Sequence, residues 1–185
     1  MRRYWFAKRY ADTVARLRVP GGFVLVAAFA WLSKPDLTSL AIGMPVSVLG
    51  LMLRAWAAGH LAKNRQLAAS GPYAHVRNPL YIGTLIVALG LVIASREPLL
   101  AVIFGAVFFL IYLPVIELEE QHLRKLFPGY EEYAAQVPVL RPRRQPAQAP
   151  CPRAFSWRLY ANNREYQASL GLFAGAALLF WKVFR

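Results

Sequence analysis

Three observations predict an all-α, polytopic membrane protein with about five transmembrane helices. Hydrophobic residues make up 57% of the 185 residues and charged residues only 17%, whereas soluble domains average roughly 45–50% and about 25%. The charged residues leave several long uncharged runs, each close to the length of a membrane span. The basic residues also collect in alternate connecting segments, as expected when those segments face the cytoplasm. The composition therefore favours an integral membrane protein over a soluble one.

The chain begins with a basic arm and a predicted transmembrane hairpin. Residues 1–18 combine six basic residues with aromatic ones, which is typical of an interfacial helix on the cytoplasmic face; a frayed basic tail is the alternative. Residues 19–58 form the hairpin, whose second span begins at Leu37. The first span is short for a membrane core of about 30 Å, but flanking basic side chains can extend to the headgroups.

Arg54 lies near the cytoplasmic end of the second span. An ionisable residue inside a span is functional by default. A long arginine side chain near a helix end can equally reach the headgroups. The sequence leaves both interpretations open.

Residues 59–142 form the predicted central domain, with a polar connector and two further spans. The third span runs from Leu80 to Ser95 and the fourth from Leu99 to Ile116. A helical segment with three glutamates follows the fourth span. The Phe-Pro-Gly-Tyr sequence at 127–130 predicts the end of that helix.

The last part of the chain is predicted to be a linker and one more span. Residues 143–165 are rich in proline and arginine, and residues 166–185 contain an apolar run that predicts a C-terminal transmembrane helix. Five spans with the N-terminus inside put the arm, the 59–78 connector and the 117–165 segment in the cytoplasm, because all three are basic.

The net charge of +13 is interpreted as membrane topology and contact with anionic lipids. Nucleic-acid binding is the less favoured explanation, and no nucleic-acid partner is expected. Cys151 is the only cysteine, and the three histidines are scattered. The sequence therefore predicts neither an intramolecular disulfide nor a metal site.

The stretch from Gly71 to Gly83 stands out as a candidate site. Gly71 and Pro72 predict a turn, and Pro79 suits the first position of a helix while it keeps Asn78 extended. The polar and aromatic residues before Pro79 thus lie on irregular backbone at the N-terminal end of an apolar helix. We call this region, residues 71–83, the mouth of that helix. Such backbone is tolerated at membrane depth only where it is buried in protein or lines a cavity.

A second set of polar residues is expected to meet this mouth. Segments 60–83 and 115–138 lie at the cytoplasmic ends of neighbouring spans, and the second contains Glu119 and Glu120. The two carboxylates could form a solvated face. Partial desolvation so close to an apolar span would instead favour a cationic partner.

Four short patterns occur in order across this helical hairpin: Gly71-Pro72-Tyr73, then Arg77-Asn78-Pro79-x-Tyr81-x-Gly83, then Glu119-Glu120-x-x-Leu123-x-x-x-Phe127, then Tyr133 with Val137-Pro138. In these residues the chain resembles the isoprenylcysteine carboxyl methyltransferase and phospholipid methyltransferase group. These are integral membrane enzymes that use S-adenosylmethionine. The resemblance extends over about residues 45 to 142, which makes 59–142 the expected catalytic core with a cytoplasmic cofactor pocket.

The resemblance implies roles for individual residues. Tyr73 would contact the cofactor, and Glu119 would hold it from the opposite side. Arg77 and Glu120 are the catalytic candidates, in a supporting role. The remaining cofactor residues implied by the resemblance are Asn78, Pro79, Leu80 and Tyr81 in the pocket wall, and Arg65, Gln66, Leu67 and Ala68 in a second stretch.

Two departures from the family pattern bear on the chemistry. Asn78 stands where the family usually has histidine, and an amide cannot act as a base or carry charge. Val115 stands where the isoprenylcysteine enzymes carry an arginine for the substrate carboxylate. This absence argues against a prenylcysteine acceptor.

The expected activity is S-adenosylmethionine-dependent methyl transfer to a membrane-embedded lipid or small hydrophobic acceptor. His60 or His75 would take a proton from an amine or thiol acceptor; otherwise both are ordinary interfacial histidines. One alternative is an NADPH-dependent membrane reductase of the sterol-reductase type, which shares a related hairpin. The other is a non-enzymatic membrane scaffold.

Overall fold

The computed structural model describes residues 6–147 and 153–185. Every regular element in these ranges is helical, which confirms the all-α prediction. The first five residues of the basic arm and Cys151 lie outside the described ranges.

The first two helices form the predicted N-terminal hairpin. Helix α1, Lys8–Leu32, is bent by 51° between its two halves, Arg9–Leu17 and Pro20–Leu32, because Pro20 has no N–H and crowds the preceding turn. Helix α2, Leu37–Ala58, begins at Asp36. The Asp36 carboxylate accepts a hydrogen bond from the Ser39 backbone N–H at 2.7 Å, and the Ser39 hydroxyl oxygen accepts one from the Asp36 N–H at 3.0 Å. This capping box ends the turn and starts the helix.

Helix α3, Pro79–Ser95, packs against α2 at very short range. A Cβ on Gly90 would lie only 2.4 Å from the backbone nitrogen of Ser47, and a Cβ on Gly50 would lie 2.7 Å from the carbonyl oxygen of Gly83. Small residues thus let the two backbones approach, as in membrane helix pairs. The close contact fixes the position of the α3 N-terminus relative to the end of α2.

The next three elements form one continuous 29-residue helix, Pro98–Leu126. It comprises α4, Pro98–Val107, a π-helical turn at Phe108–Tyr112, and α5, Leu113–Leu126. Pro114 has no N–H to donate to the carbonyl of Leu110, four residues earlier. That carbonyl instead accepts a hydrogen bond from the Tyr10 hydroxyl at 2.7 Å.

The predicted count of about five transmembrane helices is wrong. In the described residues, α2 and Pro98–Leu126 are long and apolar enough to cross a membrane, and the bent α1 would make a third span. Helix α3 has 17 residues, which gives about 26 Å at 1.5 Å per residue, less than a bilayer core of about 30 Å. The C-terminal helix, Tyr166–Val183, has 18 residues and carries Lys182 in its last turn. The apolar runs are therefore helical as predicted, but fewer of them meet the requirements of a span.

Three further helices complete the fold. Helix α6, Tyr130–Gln136, follows α5, and α7, Trp157–Asn162, lies within the segment predicted as a linker. Helix α8, Tyr166–Val183, buries Leu179 against α2 and α3. Near its end, the Lys182 ammonium donates to the carbonyl of Ser33 at 2.8 Å, so this end of α8 lies beside the turn between α1 and α2.

A small core holds α6 under the connector between α2 and α3. Its buried members are Ala69, Tyr130, Tyr133 and Val137. The Tyr133 hydroxyl donates to the carbonyl of Tyr73 at 2.8 Å. This core brings the segment after α5 to the mouth of α3.

Candidate functional site

The mouth of α3 has the irregular backbone that the sequence predicts. A 3₁₀ turn, Gly71–Ala74, precedes it, and Pro79 is the first residue of the helix. Gly71 has a φ of +58°, and a Cβ there would lie 2.6 Å from Nε2 of His60. Both the left-handed backbone and the close histidine therefore require glycine at this position.

A buried ion pair joins this mouth to helix α5. A terminal guanidinium nitrogen of Arg77 lies 3.2 Å from Oε2 of Glu120, and the two side chains are only 8% and 13% exposed. The Asn78 amide donates to Oε1 of Glu120 at 3.4 Å and to the carbonyl of Val139 at 3.4 Å. The structure thus brings together the two segments that were expected to meet, through Glu120. Because both charges are largely desolvated, loss of either partner would leave a costly buried charge.

A second guanidinium lies close to the same carboxylate. Arg124 approaches Oε2 of Glu120 at 3.9 Å, pairs with the exposed carboxylate of Glu131, and lies 5.3 Å from the ring centre of Tyr130. Within the described residues, three buried polar atoms have no directed hydrogen bond: Nε of Arg77, Nε of Arg124 and the hydroxyl of Tyr130. Buried polar atoms of this kind are usually paired, and a hydrogen bond with Arg77 contributes to the pKa of Tyr130. The two arginines thus give the cluster a positive charge around Glu120.

The buried tyrosines near this cluster stay neutral over the physiological range. Burial raises the pKa of Tyr130 to about 12, and the charge of Glu120 adds to the effect while Arg77 opposes it. Burial also raises the pKa of Tyr73, and nearby Glu119 contributes to that increase. Desolvation disfavours the phenolate in each case. The effect of Glu119 on Tyr73 means that these two predicted cofactor residues lie within electrostatic range of each other.

The other residues of the predicted pocket wall are distributed around this cluster. Tyr81 packs edge-on against Tyr112 of the π-helical turn, with ring centres 6.0 Å apart. Pro79 is buried, the carbonyl of Leu80 accepts from Arg54 at 3.2 Å, and the side chain of Glu119 is exposed. Turns of this π type are common at functional sites.

The second predicted cofactor stretch lies elsewhere. Gln66, Leu67 and Ala68 line a small cavity beside His60, and Arg65 with Gln66 lines a cleft of about 970 Å³ that extends to α7. Only Leu67 of this stretch packs against the core that carries Tyr130. The structure thus does not support the expected single pocket on the cytoplasmic side at the α3 mouth, where Tyr73 and Pro79 are buried. The physical reason is that α6 and its core fill the space beneath the mouth.

Sequence reasoning missed the partner of Arg54. The Arg54 guanidinium binds the carboxylate of Glu165 through two nitrogens, at 3.0 and 2.8 Å, and its third nitrogen donates to the Leu80 carbonyl and to the Thr84 hydroxyl. Glu165 is the last acidic residue in the chain and directly precedes α8. The sequence did contain a signal for this pair: Arg54 is a charged residue inside an apolar helix, and Glu165 is an isolated carboxylate at the start of another.

Arg124 and Tyr130 were also missed as members of the site. The spacing of Glu120 and Arg124, four residues apart on a helix, is the pattern of a same-face ion pair and could have identified the arginine. Tyr130 carried a weaker signal, since buried tyrosines are common in ordinary cores.

Three relatives match this chain over part of their length. A cobalt-zinc-cadmium resistance protein of Cupriavidus metallidurans is 34% identical over 61% of this chain and 52% of its own length. A nickel-cobalt-cadmium resistance protein of Alcaligenes xylosoxydans xylosoxydans is 32% identical over 61% and 53%. A protein-S-isoprenylcysteine O-methyltransferase of Schizosaccharomyces pombe is 27% identical over 71% and 58%. The chain thus spans about half the length of the curated relatives it matches.

Within residues 6–147 and 153–185, no group of three or more His, Cys, Asp or Glu is arranged to hold a metal ion. No solved structure matches the chain significantly. Residues 38–129 match the phospholipid methyltransferase family. This segment contains the α3 mouth, the π-helical turn and the Glu119–Glu120 pair, and the match shows that the chain belongs to the phospholipid methyltransferase family.

Proposed function

We propose that this chain transfers a methyl group from S-adenosylmethionine to a lipid or small hydrophobic acceptor in the membrane. The observation that carries the proposal is the buried link of Arg77 and Asn78 to Glu120. This link closes the mouth of α3 onto α5 inside the segment that matches the family. Methyl transfer needs chiefly that donor and acceptor are held together, and such positioning can contribute about 7–11 kcal/mol.

The donor set around the α3 mouth fits the proposed cofactor. S-adenosylmethionine supplies a methyl group on a positively charged sulfur, next to an amino-acid carboxylate. The exposed carboxylate of Glu119 and the edge-packed rings of Tyr81 and Tyr112 suit the positive sulfur. The positive charges of Arg77 and Arg124 suit the carboxylate of the cofactor. We therefore assign the cofactor to the exposed rim of this mouth beside Glu119, outside the filled space that buries Tyr73 and Pro79.

Glu120 acts in this proposal as a positioning residue. Its two carboxylate oxygens hold Arg77 and Asn78, so its role is to fix the orientation of the side chains that face the cofactor. Arg77, which is 8% exposed and paired with Glu120, supplies positive charge near the proposed cofactor position. Asn78 contributes a neutral amide and not a base.

The histidines are not assigned a catalytic role. Nδ1 of His60 lies 2.9 Å from the Trp56 carbonyl, and Nδ1 of His75 lies 2.9 Å from the Arg143 carbonyl. Because a carbonyl only accepts hydrogen bonds, each Nδ1 carries the proton and each ring is held to the backbone. These contacts support a structural function for both rings.

The apolar surface of α2 and the lack of a cation at Val115 support a hydrophobic acceptor. Helix α2 presents apolar side chains to its surroundings, with Ile42, Leu49 and Met52 each more than half exposed. Exposed apolar surface on that scale suits lipid. Val115, where the isoprenylcysteine enzymes carry arginine, is 5% exposed and offers no cation for a carboxylate. These features favour a lipid or neutral hydrophobic acceptor over a prenylcysteine.

A binding experiment tests the proposal. Purified protein in detergent is titrated by calorimetry with the positively charged S-adenosylmethionine and, separately, with S-adenosylhomocysteine, whose sulfur is neutral. The same titrations are made with Glu119→Gln and with the matched control Glu132→Gln, which removes an exposed carboxylate outside the mouth. We expect both ligands to bind the wild type and the control, and S-adenosylmethionine to bind Glu119→Gln about 10-fold more weakly, because the variant lacks the carboxylate that faces the positive sulfur. The absence of binding by a folded wild type would contradict the proposal.

A second experiment distinguishes methyl transfer from the reductase and scaffold alternatives. Membranes that contain the protein are incubated with S-adenosylmethionine labelled in its methyl group, and lipid extracts are analysed by mass spectrometry for added methyl groups. Stabilisation by NADPH in place of S-adenosylhomocysteine would identify a reductase. Identical thermal and binding behaviour of wild type and Glu119→Gln would point to a non-enzymatic scaffold.

A further inference from the structure

A basic cleft lies at the end of α2, outside the site described above. It has a volume of about 970 Å³, and its walls are the 61–66 part of the connector and the 153–163 segment with α7. Four cationic side chains line it, and all four are exposed: Lys63, Arg65, Arg153 and Arg158. None of the residues along the cleft is acidic.

The positive charge of the cleft is not neutralised by nearby residues in the sequence. No aspartate or glutamate occurs between residues 37 and 96 or between residues 133 and 164, and both walls come from these stretches. Arg153 crosses the cleft to a neutral group, donating to the amide oxygen of Gln66 at 2.6 Å. The nearest acid along the chain, Glu165, is already bound by Arg54. Several exposed like charges held together attract an anion.

The two walls are fastened to each other by specific contacts. The Asn163 amide donates to the carbonyls of Ala58 and Leu61, at 3.0 and 2.9 Å, and the Ser156 N–H donates to the carbonyl of Gly59 at 3.0 Å. The ring of Phe155 covers Gly59 so closely that a Cβ there would lie 2.1 Å from it. The cations are therefore presented by a built cleft and not by two independent loops.

The position of the cleft indicates the kind of anion. It begins where α2, an apolar helix of spanning length, ends, which is the level of lipid headgroups. Trp157 next to the cleft is 74% exposed and packs edge-on against Phe155, with ring centres 4.9 Å apart. Exposed tryptophan at a helix end is typical of the membrane interface. Clustered basic residues at that level attract anionic lipids.

We infer that this cleft binds the phosphate headgroup of an anionic phospholipid. Lys63 and Arg158, from opposite walls, contribute to the attraction, and Trp157 lies at the interface. The same charge makes the cleft unsuitable for a positively charged sulfonium. The site is therefore distinct from the α3 mouth, and the inference does not require methyl transfer.

The experiment compares lipid binding in matched variants of the full chain. Purified protein in detergent is equilibrated with equal amounts of phosphatidylglycerol and phosphatidylcholine, and bound lipid is measured by native mass spectrometry. The test variant is Lys63→Gln with Arg158→Gln. The control is Arg141→Gln with Arg144→Gln, which removes two exposed arginines of the same acid-free stretch that do not line the cleft.

We expect the wild type and the control to prefer phosphatidylglycerol, and the test variant to bind it about 30-fold more weakly, from about 1 kcal/mol for each basic residue near the lipid. Equal binding by wild type and test variant, or an equal loss in the control, would overturn the inference. Displacement of the lipid by an equal concentration of inorganic phosphate would identify a soluble anion as the ligand and would also overturn it.

A measurement on the wild type alone covers the case in which the test variant does not fold. Raising the salt concentration from 0.1 M to 1 M shortens the Debye length from about 10 Å to about 3 Å. Binding of phosphatidylglycerol should fall strongly, and binding of phosphatidylcholine should not change. A preference for phosphatidylglycerol that is independent of salt would exclude this charged cleft as its origin.

Discussion

Replacement of Glu120 by glutamine tests the buried ion pair that closes the α3 mouth. The substitution keeps the shape of the side chain and removes its charge, so the Arg77 side chain, 8% exposed, loses its anionic partner. Breaking a buried pair on one side typically costs about 3–5 kcal/mol. Because Glu120 is 13% exposed, some water reaches the pair. We therefore expect the free energy of unfolding to fall by about 3 kcal/mol, the lower end of that range.

The assay is thermal unfolding of the purified protein in detergent. For a chain of this size, a loss of 3 kcal/mol corresponds to a decrease in Tm of about 6–12 °C. The control is Glu131→Gln, because this carboxylate pairs with Arg124 but is 62% exposed. Because Glu131 itself is solvent-exposed and Arg124 keeps Glu120 at 3.9 Å, the control should lose about 1 kcal/mol or less and lower Tm by no more than about 4 °C.

A double-mutant cycle with Arg77→Gln isolates the pair itself. Arg77→Gln alone leaves Glu120 with Arg124 at 3.9 Å, so its loss should be smaller than that of Glu120→Gln. The double variant should be more stable than the sum of the two losses predicts, because no charge is left without a partner. Additive losses, or a change in Tm for Glu120→Gln no larger than that of the control, would refute the reasoning.

Three further predictions concern other parts of the fold. Glu165→Gln should lower Tm by several degrees, because it leaves the mostly buried Arg54 guanidinium without its carboxylate; an unchanged Tm would contradict this. Gly90→Ala should lower the free energy of unfolding by about 1–3 kcal/mol, because the added methyl group overpacks against α2. Gly105→Ala is the control, since a Cβ there would meet nothing within 4 Å. Thermal unfolding should show a lower Tm for Gly90→Ala only. Because the pKa of Tyr130 is raised from 10.0 to about 12 in the fold, its stabilising contribution is complete below pH 10 and is lost as pH rises through about 12. The free energy of unfolding, measured with denaturant from pH 9 to 12, should therefore fall less with pH for Tyr130→Phe than for wild type. Parallel curves would show that the pKa of Tyr130 is not raised in the fold.

Much of the helical order could be predicted from local sequence. The start of α2 at Leu37, the turn at Gly71 and the helix start at Pro79 are set by a few neighbouring residues, so they could be predicted from the sequence. The meeting of segments 60–83 and 115–138 was also predicted, because neighbouring apolar helices place their ends together.

Other features depended on contacts that a single sequence does not display. Glu165 lies 111 residues from Arg54, and no periodic pattern connects them. The filled space beneath the α3 mouth comes from the packing of Tyr130 and Tyr133 after the turn at Gly129. The number of spans was overestimated because helices as short as α3 have the same apolar composition as the helices that are long enough to span a membrane.

The bond between Lys182 and the Ser33 carbonyl has a practical consequence for reporter fusions. It anchors the C-terminal end of α8 next to the turn that starts α2. The 22 residues of α2 separate this turn from the connector by about 33 Å at 1.5 Å per residue. A fluorescent or enzymatic tag joined after Arg185 would therefore lie at the same end of the fold as Lys34, remote from Arg77 and Glu120.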